Sequence, residues 1–169
     1  IYNPDGSRLA TDYGYTDCEL QARATTPGIY TILVGDEGAD STGTYSVYVQ
    51  RLNNPLQTTP IQFGQTISST ITNSAEYDAY TVQATANDEI FVRLRTAWDN
   101  YAEIKIFGPD GYLLASDDAW SFFNELQARA LKSGTYTILV GDSQGEGVGD
   151  YSLYCQRMNN PSPATAIGP

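Results

Sequence analysis

Hydrophobic and polar residues alternate along short segments of this chain, and this alternation predicts β-strands. In residues 89–96, for example, Ile90, Val92 and Leu94 fall on one face. Gly, Asn, Asp and Pro separate such segments, and no stretch shows a convincing helical period. The predicted strands are residues 64–72, 77–84, 89–96, 102–107, 112–116, 122–130, 135–141 and 151–158.

Two further segments each carry a single apolar face, as expected when one side of a strand is buried. One buried face per strand, with turns between closely spaced strands, is typical of an antiparallel sandwich. The expected fold class is therefore all-β, an antiparallel jelly-roll-like β-sandwich. The apolar faces are Tyr136, Ile138 and Val140 in one segment and Leu126, Ala128 and Ala130 in the other.

The sequence also repeats itself. Residues 19–55 align with residues 125–161 at an offset of 106 without a gap, with 23 identities in 37 positions. Upstream, residues 1–6 align with residues 106–111 at an offset of 105. A fixed period indicates an array of copies of one unit. We therefore expect the C-terminal half of one repeat at residues 1–55, a complete repeat at 56–161, and a linker or the start of a further repeat at 162–169.

The half repeat poses a physical problem, because its four or five strands would expose the inner face of a sheet. Identical chains cannot complete it by exchange, since each carries two second halves and one first half, residues 56–105. Three solutions are open. The first, which we expect, is that the chain is a segment of a longer protein that supplies the other half. The second is that a neighbouring subunit adds strands to the half repeat. The third is that the half repeat rests on the complete one. The lack of a signal sequence says nothing about localisation.

Five short motifs follow one another in the complete repeat. They lie at residues 64–71 (with Ser at a second Gly position), 77–82 (without a leading Asp), 106–111, 134–140 and 149–153. In this order they resemble the pre-peptidase C-terminal (PPC) domain of bacteria and archaea, and the first copy resembles its last three motifs. The resemblance implies an extracellular or cell-surface sandwich that is not itself catalytic. Such domains flank secreted peptidases and occur in tandem on surface proteins.

The charge of the chain limits the classes of partner that it is expected to bind. The formal net charge is −11, from 20 acidic and 9 basic residues, and there is no histidine. Nucleic acid is not expected, because neutralising phosphates requires clustered Lys and Arg. No apolar run is long enough for membrane insertion. Without histidine there is no Ser–His or Cys–His pair, so we do not expect an enzyme.

The two cysteines, Cys18 and Cys155, do not form a disulfide framework. Cys155 alternates with Tyr151 and Leu153 in a predicted strand, which favours a buried free thiol. A bridge between neighbouring copies in an oxidising compartment is the alternative.

Calcium is the candidate cofactor, because it binds carboxylate and carbonyl oxygens that converge in turns. Both copies keep an acid after a strand-ending glycine, at Asp36 and Asp142. A turn-forming aspartate explains that recurrence equally well. The candidate ligands form three patches: Asp110 with Asp117 and Asp118; Asp142 with Glu146 and Asp150; and Asp36 with Asp40.

Aromatic residues near loops are the candidate binding residues. Trp98, Tyr101, Trp120 and Phe122 would form a flat platform for sugar rings or a protein partner. The alternative is that Trp98 and Trp120 close the ends of the sandwich.

The sequence is compatible with three functions. The first is a non-catalytic extracellular segment that acts in adhesion or assembly, or as a spacer, with neighbouring repeats or identical subunits as partners. The second is a subunit of an extracellular filament joined by strand exchange. The third is an accessory module of a secreted hydrolase that binds a glycan or a matrix protein.

Overall fold

The computed structural model describes residues 1–98, 101–161 and 163, and the chain divides into two compact units, Ile1–Tyr45 and Ser46–Pro169. Of the further repeat expected at residues 162–169, all but Pro163 lie outside the described residues. Asp99 and Asn100, between two of the candidate aromatic residues, also lie outside them.

The unit Ser46–Pro169 contains nine strands in its described residues. All eight predicted strands are confirmed as β2 to β9, with ends that differ by at most three residues. The short strand β1 lies ahead of the first predicted strand and pairs in parallel with β3. The strands are β1 (Thr59–Pro60), β2 (Gln65–Ile71), β3 (Asp78–Ala84), β4 (Glu89–Thr96), β5 (Ala102–Phe107), β6 (Leu113–Ala119), β7 (Phe123–Arg129), β8 (Gly134–Asp142) and β9 (Gly149–Arg157).

The strands form two sheets, one in the order β1-β3-β8-β5-β6 and the other in the order β2-β9-β4-β7. Four antiparallel pairs are nested inside one another: β2 with β9, β3 with β8, β4 with β7, and β5 with β6. This arrangement confirms the expected all-β sandwich and gives it jelly-roll connections. As a consequence, β7, β8 and β9 have their nested partners in the first half of the repeat, residues 56–105.

The core lies between the two sheets and is built from the predicted apolar faces. Along β4, Ile90, Val92 and Leu94 are fully buried, while Arg93 and Arg95 on the other side are exposed. The faces predicted for β7 and β8 are buried in the same way. The alternation in the sequence therefore gives the correct inward face for these strands.

The expectation of one buried face per strand is wrong for the central strands β5 and β8. All six residues of β5 are buried. The outer face of this sheet is covered by Leu52 and Tyr77, and the hydroxyl of Thr137 donates to the carbonyl oxygen of Leu52 at 3.2 Å. Part of the expected half repeat, around Leu52, thus packs on the complete sandwich. The buried outer-face residues beneath are Ala79, Phe107 and Leu139.

An ion pair is also buried on this outer face. Lys105 Nζ lies 2.8 Å from Glu103 Oε2, and both side chains are largely withdrawn from solvent. The phenol of Tyr77 donates to the same carboxylate oxygen at 2.6 Å, and its ring lies 5.2 Å from the ammonium group. Each charge therefore has a partner, as a buried ion pair requires.

The unit Ile1–Tyr45 does not form the strands expected of a half repeat. Its described residues contain only two isolated bridges, from Tyr2 to Arg8 and from Tyr2 to Thr31. The nested topology gives the physical reason, because strands equivalent to β7, β8 and β9 find their main partners among β2, β3 and β4. A second half without those partners cannot close a ladder of hydrogen bonds.

Candidate binding surface

Most of the candidate residues lie at one end of the sandwich in the unit Ser46–Pro169. Strands β4, β6 and β8 all end there, because even-numbered strands run in the same direction in this antiparallel fold. The connections β4–β5, β6–β7 and β8–β9 therefore meet at this end. It carries Trp98, Tyr101, Trp120, Phe122, Asp117, Asp118, Asp142, Glu146 and Asp150.

The side chain of Asp142 stabilises the turn that connects β8 and β9. Its Oδ1 accepts hydrogen bonds from the backbone N–H groups of Gln144 and Glu146, at 2.9 and 3.2 Å. The side chain is buried, and Gly145 takes the positive φ of 68° that this tight turn requires. The carboxylate is thus engaged in holding its own turn.

Asp36, the counterpart of Asp142, behaves alike within the unit Ile1–Tyr45. Its Oδ2 accepts hydrogen bonds from the backbone N–H groups of Asp40 and Ser41, at 3.0 and 3.3 Å. These hydrogen bonds, that from Asp40 foremost, lower the pKa of the Asp36 carboxyl. The turn-forming role accounts for the aspartate in both copies.

The remaining acids of the β8–β9 connection do not converge on one point. Asp150 accepts a hydrogen bond from the hydroxyl of Thr70 across strands β2 and β9, at 2.6 Å, while Glu146 is exposed. Within residues 1–98, 101–161 and 163, no group of three or more acidic or cysteine side chains could hold a metal ion. A calcium site at these residues stays a prediction without an assembled set of ligands.

The first acidic patch is divided by the fold. Asp110 lies in the β5–β6 turn at the opposite end of the sandwich, where its carboxylate contacts Lys132 Nζ at 2.6 Å. That interaction lowers the pKa of Asp110. Asp117 and Asp118 are exposed on the edge strand β6, and partial burial, with the neighbouring charge of Asp118, raises the pKa of Asp117. The structure therefore does not bring Asp110 to the other two acids.

Trp98 closes the end of the core, contrary to its expected place in an exposed platform. Its side chain is only 9% exposed, and its ring meets Tyr151 edge to face at a centroid distance of 6.2 Å. The indole fills the space beside Gly147, where an added Cβ would lie 2.6 Å from the ring. This position matches the alternative that a tryptophan seals the sandwich.

Tyr101, which is half-buried, forms a ring pair with the exposed Trp120, and Phe122 and Phe123 follow Trp120 closely in sequence; we call these four residues the aromatic patch. The rings of Tyr101 and Trp120 stack with a centroid distance of 5.4 Å and an interplanar angle of 31°. Trp120 is 76% exposed, and both phenylalanines are exposed beside it in sequence. The sequence analysis did not name Phe123 as a candidate binding residue. Its position in β7, on the face opposite the inward-facing Leu126, indicates that its side chain is exposed.

Asn124 supports the patch from beneath and was also missed. It is buried, and its Nδ2 donates to the carbonyl oxygens of Ala102 and Asp117 at 3.0 and 2.9 Å. Ala102 and Asp117 belong to β5 and β6, whereas Asn124 belongs to β7, so the amide ties the two sheets together. These two hydrogen bonds hold the start of β7 next to the β6–β7 connection, which carries Trp120 and Phe122.

A buried polar group joins the sheets further inside. The hydroxyls of Tyr80 and Tyr151 lie 2.5 Å apart, and Tyr151 also donates to the carboxylate of Asp78. Ser69 donates to the same carboxylate at 3.1 Å. Burial, followed by the hydrogen bond to Asp78, raises the pKa of Tyr151, so that its phenol stays protonated.

The chain is similar to several solved structures. The pre-peptidase C-terminal domain of the collagenase from Bacillus anthracis has 20% sequence identity and a TM-score of 0.53 over 62% of this chain and 99% of that one. Two periplasmic inhibitors of g-type lysozyme, from Aeromonas hydrophila and Salmonella Typhimurium, have identities of 21% and 23% and TM-scores of 0.45 and 0.43. They cover 59% and 58% of this chain and 96% of each inhibitor. No protein-family model matches the chain, and no curated protein matches it. The chain shares the fold of the collagenase domain.

Proposed function

We propose that this chain is a non-catalytic repeat segment of a secreted or cell-surface protein, of the PPC type, that acts in adhesion or assembly. The observation that carries the proposal is the aromatic patch at one end of a closed sandwich. Stacked and exposed rings are unusual on a surface that stays in solvent, and Tyr, Trp and Phe are favoured at protein interfaces. The five ordered motifs and the fold shared with the collagenase domain support the PPC type.

The surface cavities support a role without catalysis. One cavity of about 300 Å³ is lined by Asn, Pro and Thr residues. Another, of about 390 Å³, contains Glu76, whose carboxylate is occupied by hydrogen bonds from Thr72 and Asn73. With no histidine in the sequence, neither cavity can hold a Ser–His or Cys–His pair.

Binding to immobilised matrix protein tests the proposal, with collagen as the probe. Trp120→Ala should lower the binding at least about tenfold, the loss expected when an aromatic anchor is removed from an interface. Leu131→Ala is the matched control, because Leu131 is equally exposed but lies beyond the other end of β7. Equal binding by both variants and the unchanged chain would contradict the role of the patch.

Two alternatives are separated by further measurements. Glycan binding would use the same stacked rings, and a glycan array that loses its signal with Trp120→Ala while collagen binding persists would favour it. A filament joined by strand exchange needs an open sheet edge. Of the edge strands β1, β2, β6 and β7, β6 carries Asp117 and Asp118, which discourage pairing at that edge. Sedimentation of the chain as monomers would exclude the filament.

A further inference from the structure

The strand β2 has an open edge without the usual protections against pairing with another chain. It stands at one end of the sheet β2-β9-β4-β7, and among the described strands only β9 pairs with it. The strand is seven residues long, and its sequence, QTISSTI, contains no charged residue, no proline and no glycine. An exposed strand of this kind presents a row of unpaired backbone N–H and C=O groups to any strand that comes alongside.

The other edge strands of the two sheets are protected, each in its own way. The strand β1 is two residues long and ends in Pro60. The strand β6 carries Asp117 and Asp118, and β7 carries Glu125 and Arg129. Short length, proline and charge are devices by which soluble proteins prevent pairing between sheet edges. Among the strands of the described residues, β2 is therefore the edge that remains open to a partner.

The side chains of β2 suit pairing with a second copy of the same strand. On the inward face, Ile71 is buried in the core, whereas Ile67 is only partly buried. A further strand alongside β2 would cover more of the apolar surface of Ile67, which favours association. The residues on the outward face are all exposed and all carry a hydroxyl group. They are Thr66, Ser68 and Thr70.

Two copies of β2 have one antiparallel register that uses the full length of the strand. Residues directly opposite each other lie on the same face of a sheet, so hydroxyl residues must face hydroxyl residues. A register centred on Ser68 gives all seven residues a partner. Thr66 then faces Thr70 of the second copy, and Ser68 faces Ser68 of the second copy. Pairs of serine or threonine residues stabilise neighbouring antiparallel strands.

Charge does not oppose this contact, although the chain has a formal net charge of −11. The strand β2 is uncharged, and two carboxylates that contact it are engaged within the same copy. Asp78 accepts a hydrogen bond from the hydroxyl of Ser69 at 3.1 Å, and Asp150 accepts one from the hydroxyl of Thr70 at 2.6 Å. Hydroxyl groups therefore meet at the contact, where like charges directly opposite each other would be destabilising.

We propose that two copies of this chain associate through β2, antiparallel about Ser68, and so join their four-stranded sheets into one continuous sheet. A twofold axis relates the copies, so the contact is closed and stops at a dimer. The aromatic patch lies beside β7, at the opposite edge of the same sheet, and stays exposed in both copies. The dimer thus displays two patches, which raises the avidity for a partner that spans both. The inference goes beyond the proposed function, because the dimer forms without a ligand on the patch.

Charges placed at the centre of the contact test this proposal in the full chain. Ser68→Lys would bring two ammonium groups face to face, and Ser68→Glu two carboxylates. Each variant alone should therefore lose at least about tenfold in dimer affinity, measured by sedimentation equilibrium. An equimolar mixture of the two should recover the dimer, because opposite charges then meet. Ser116→Lys is the matched control: Ser116 is exposed on the edge strand β6, and this variant should dimerise like the unchanged chain.

Disulfide formation between copies tests the register. Opposite residues of an antiparallel pair have Cα atoms about 4.5–5.5 Å apart, within the range that a disulfide bridges. With Cys18→Ser removing the exposed native thiol, Ser68→Cys should cross-link at least about tenfold faster than Ser116→Cys. Monomers at every soluble concentration, or equal dimerisation of the unchanged chain, Ser68→Lys and Ser68→Glu, would overturn the proposal. Cross-linking of Ser68→Cys no faster than that of the control would overturn the register about Ser68.

Discussion

The phenol of Tyr151 on β9 donates a hydrogen bond to the carboxylate of Asp78 on β3, across the two sheets of the sandwich. Tyr151→Phe removes the donor while Asp78 stays partly buried, so the free energy of unfolding should fall by about 1–3 kcal/mol. Urea unfolding followed by tryptophan fluorescence measures this change. Tyr15→Phe is the control, because Tyr15 is fully exposed, and an equal loss in both variants would contradict the structural role of the pair.

The buried thiol of Cys155 should make the free energy of unfolding depend on pH in the alkaline range. Burial raises the pKa of its thiol from 9.0 to about 12. A folded-state pKa above the unfolded value favours folding below pH 9, and this contribution is lost as the pH rises towards 12. The loss should be at most about 1.4 kcal/mol for each pH unit in that window. Cys155→Val, which introduces the residue of the first copy, should flatten the unfolding free energy between pH 9 and 12. An unchanged slope would contradict the burial of the thiol.

Truncation of the two tryptophans should affect stability to very different extents. Trp98 is buried against Tyr151, so Trp98→Ala should destabilise the sandwich by about 3–5 kcal/mol. Trp120 is exposed, and Trp120→Ala should change stability by less than about 0.5 kcal/mol. Thermal unfolding distinguishes them. A large loss of stability in Trp120→Ala would show that the aromatic patch is structural and would undermine its role in binding.

The strands were predictable because each needs only local alternation, as in Ile90, Val92 and Leu94. Contacts between distant segments were not. The covering of β5 by Leu52 joins residues that no short pattern relates, and it turns an expected outer face into a second buried one. The strands expected in Ile1–Tyr45 fail for the same reason, since their partners lie in a different half of the repeat. Of the site, sequence placed Trp120 and Phe122 near a loop, but only the fold separates Asp110 from Asp117.

Asp142 should be needed for its turn rather than for calcium. Asp142→Ala removes the acceptor for two backbone N–H groups and should cost about 1–3 kcal/mol. Asp142→Asn keeps an amide oxygen that can accept the same bonds, so most of the stability should remain. The alternative is that Asp142 binds calcium, and it is tested by measuring the melting temperature with and without millimolar calcium. A rise in the unchanged chain that is absent in Asp142→Asn would indicate a metal ligand.

Substitution of Leu52 tests whether packing on the outer face of the sandwich contributes to its free energy of unfolding. Its side chain packs against the cluster formed by Ala79, Phe107 and Leu139, so Leu52→Ala should lower the free energy of unfolding by about 1–2 kcal/mol, as expected for a partly buried side chain. Leu56→Ala is the matched control, because Leu56 is exposed nearby in sequence and should change little. Chemical denaturation of both variants measures the difference. Equal stabilities would mean that the segment around Leu52 rests on the sheet without stabilising it, whereas the expected loss would make this part of the first copy an integral part of the second sandwich.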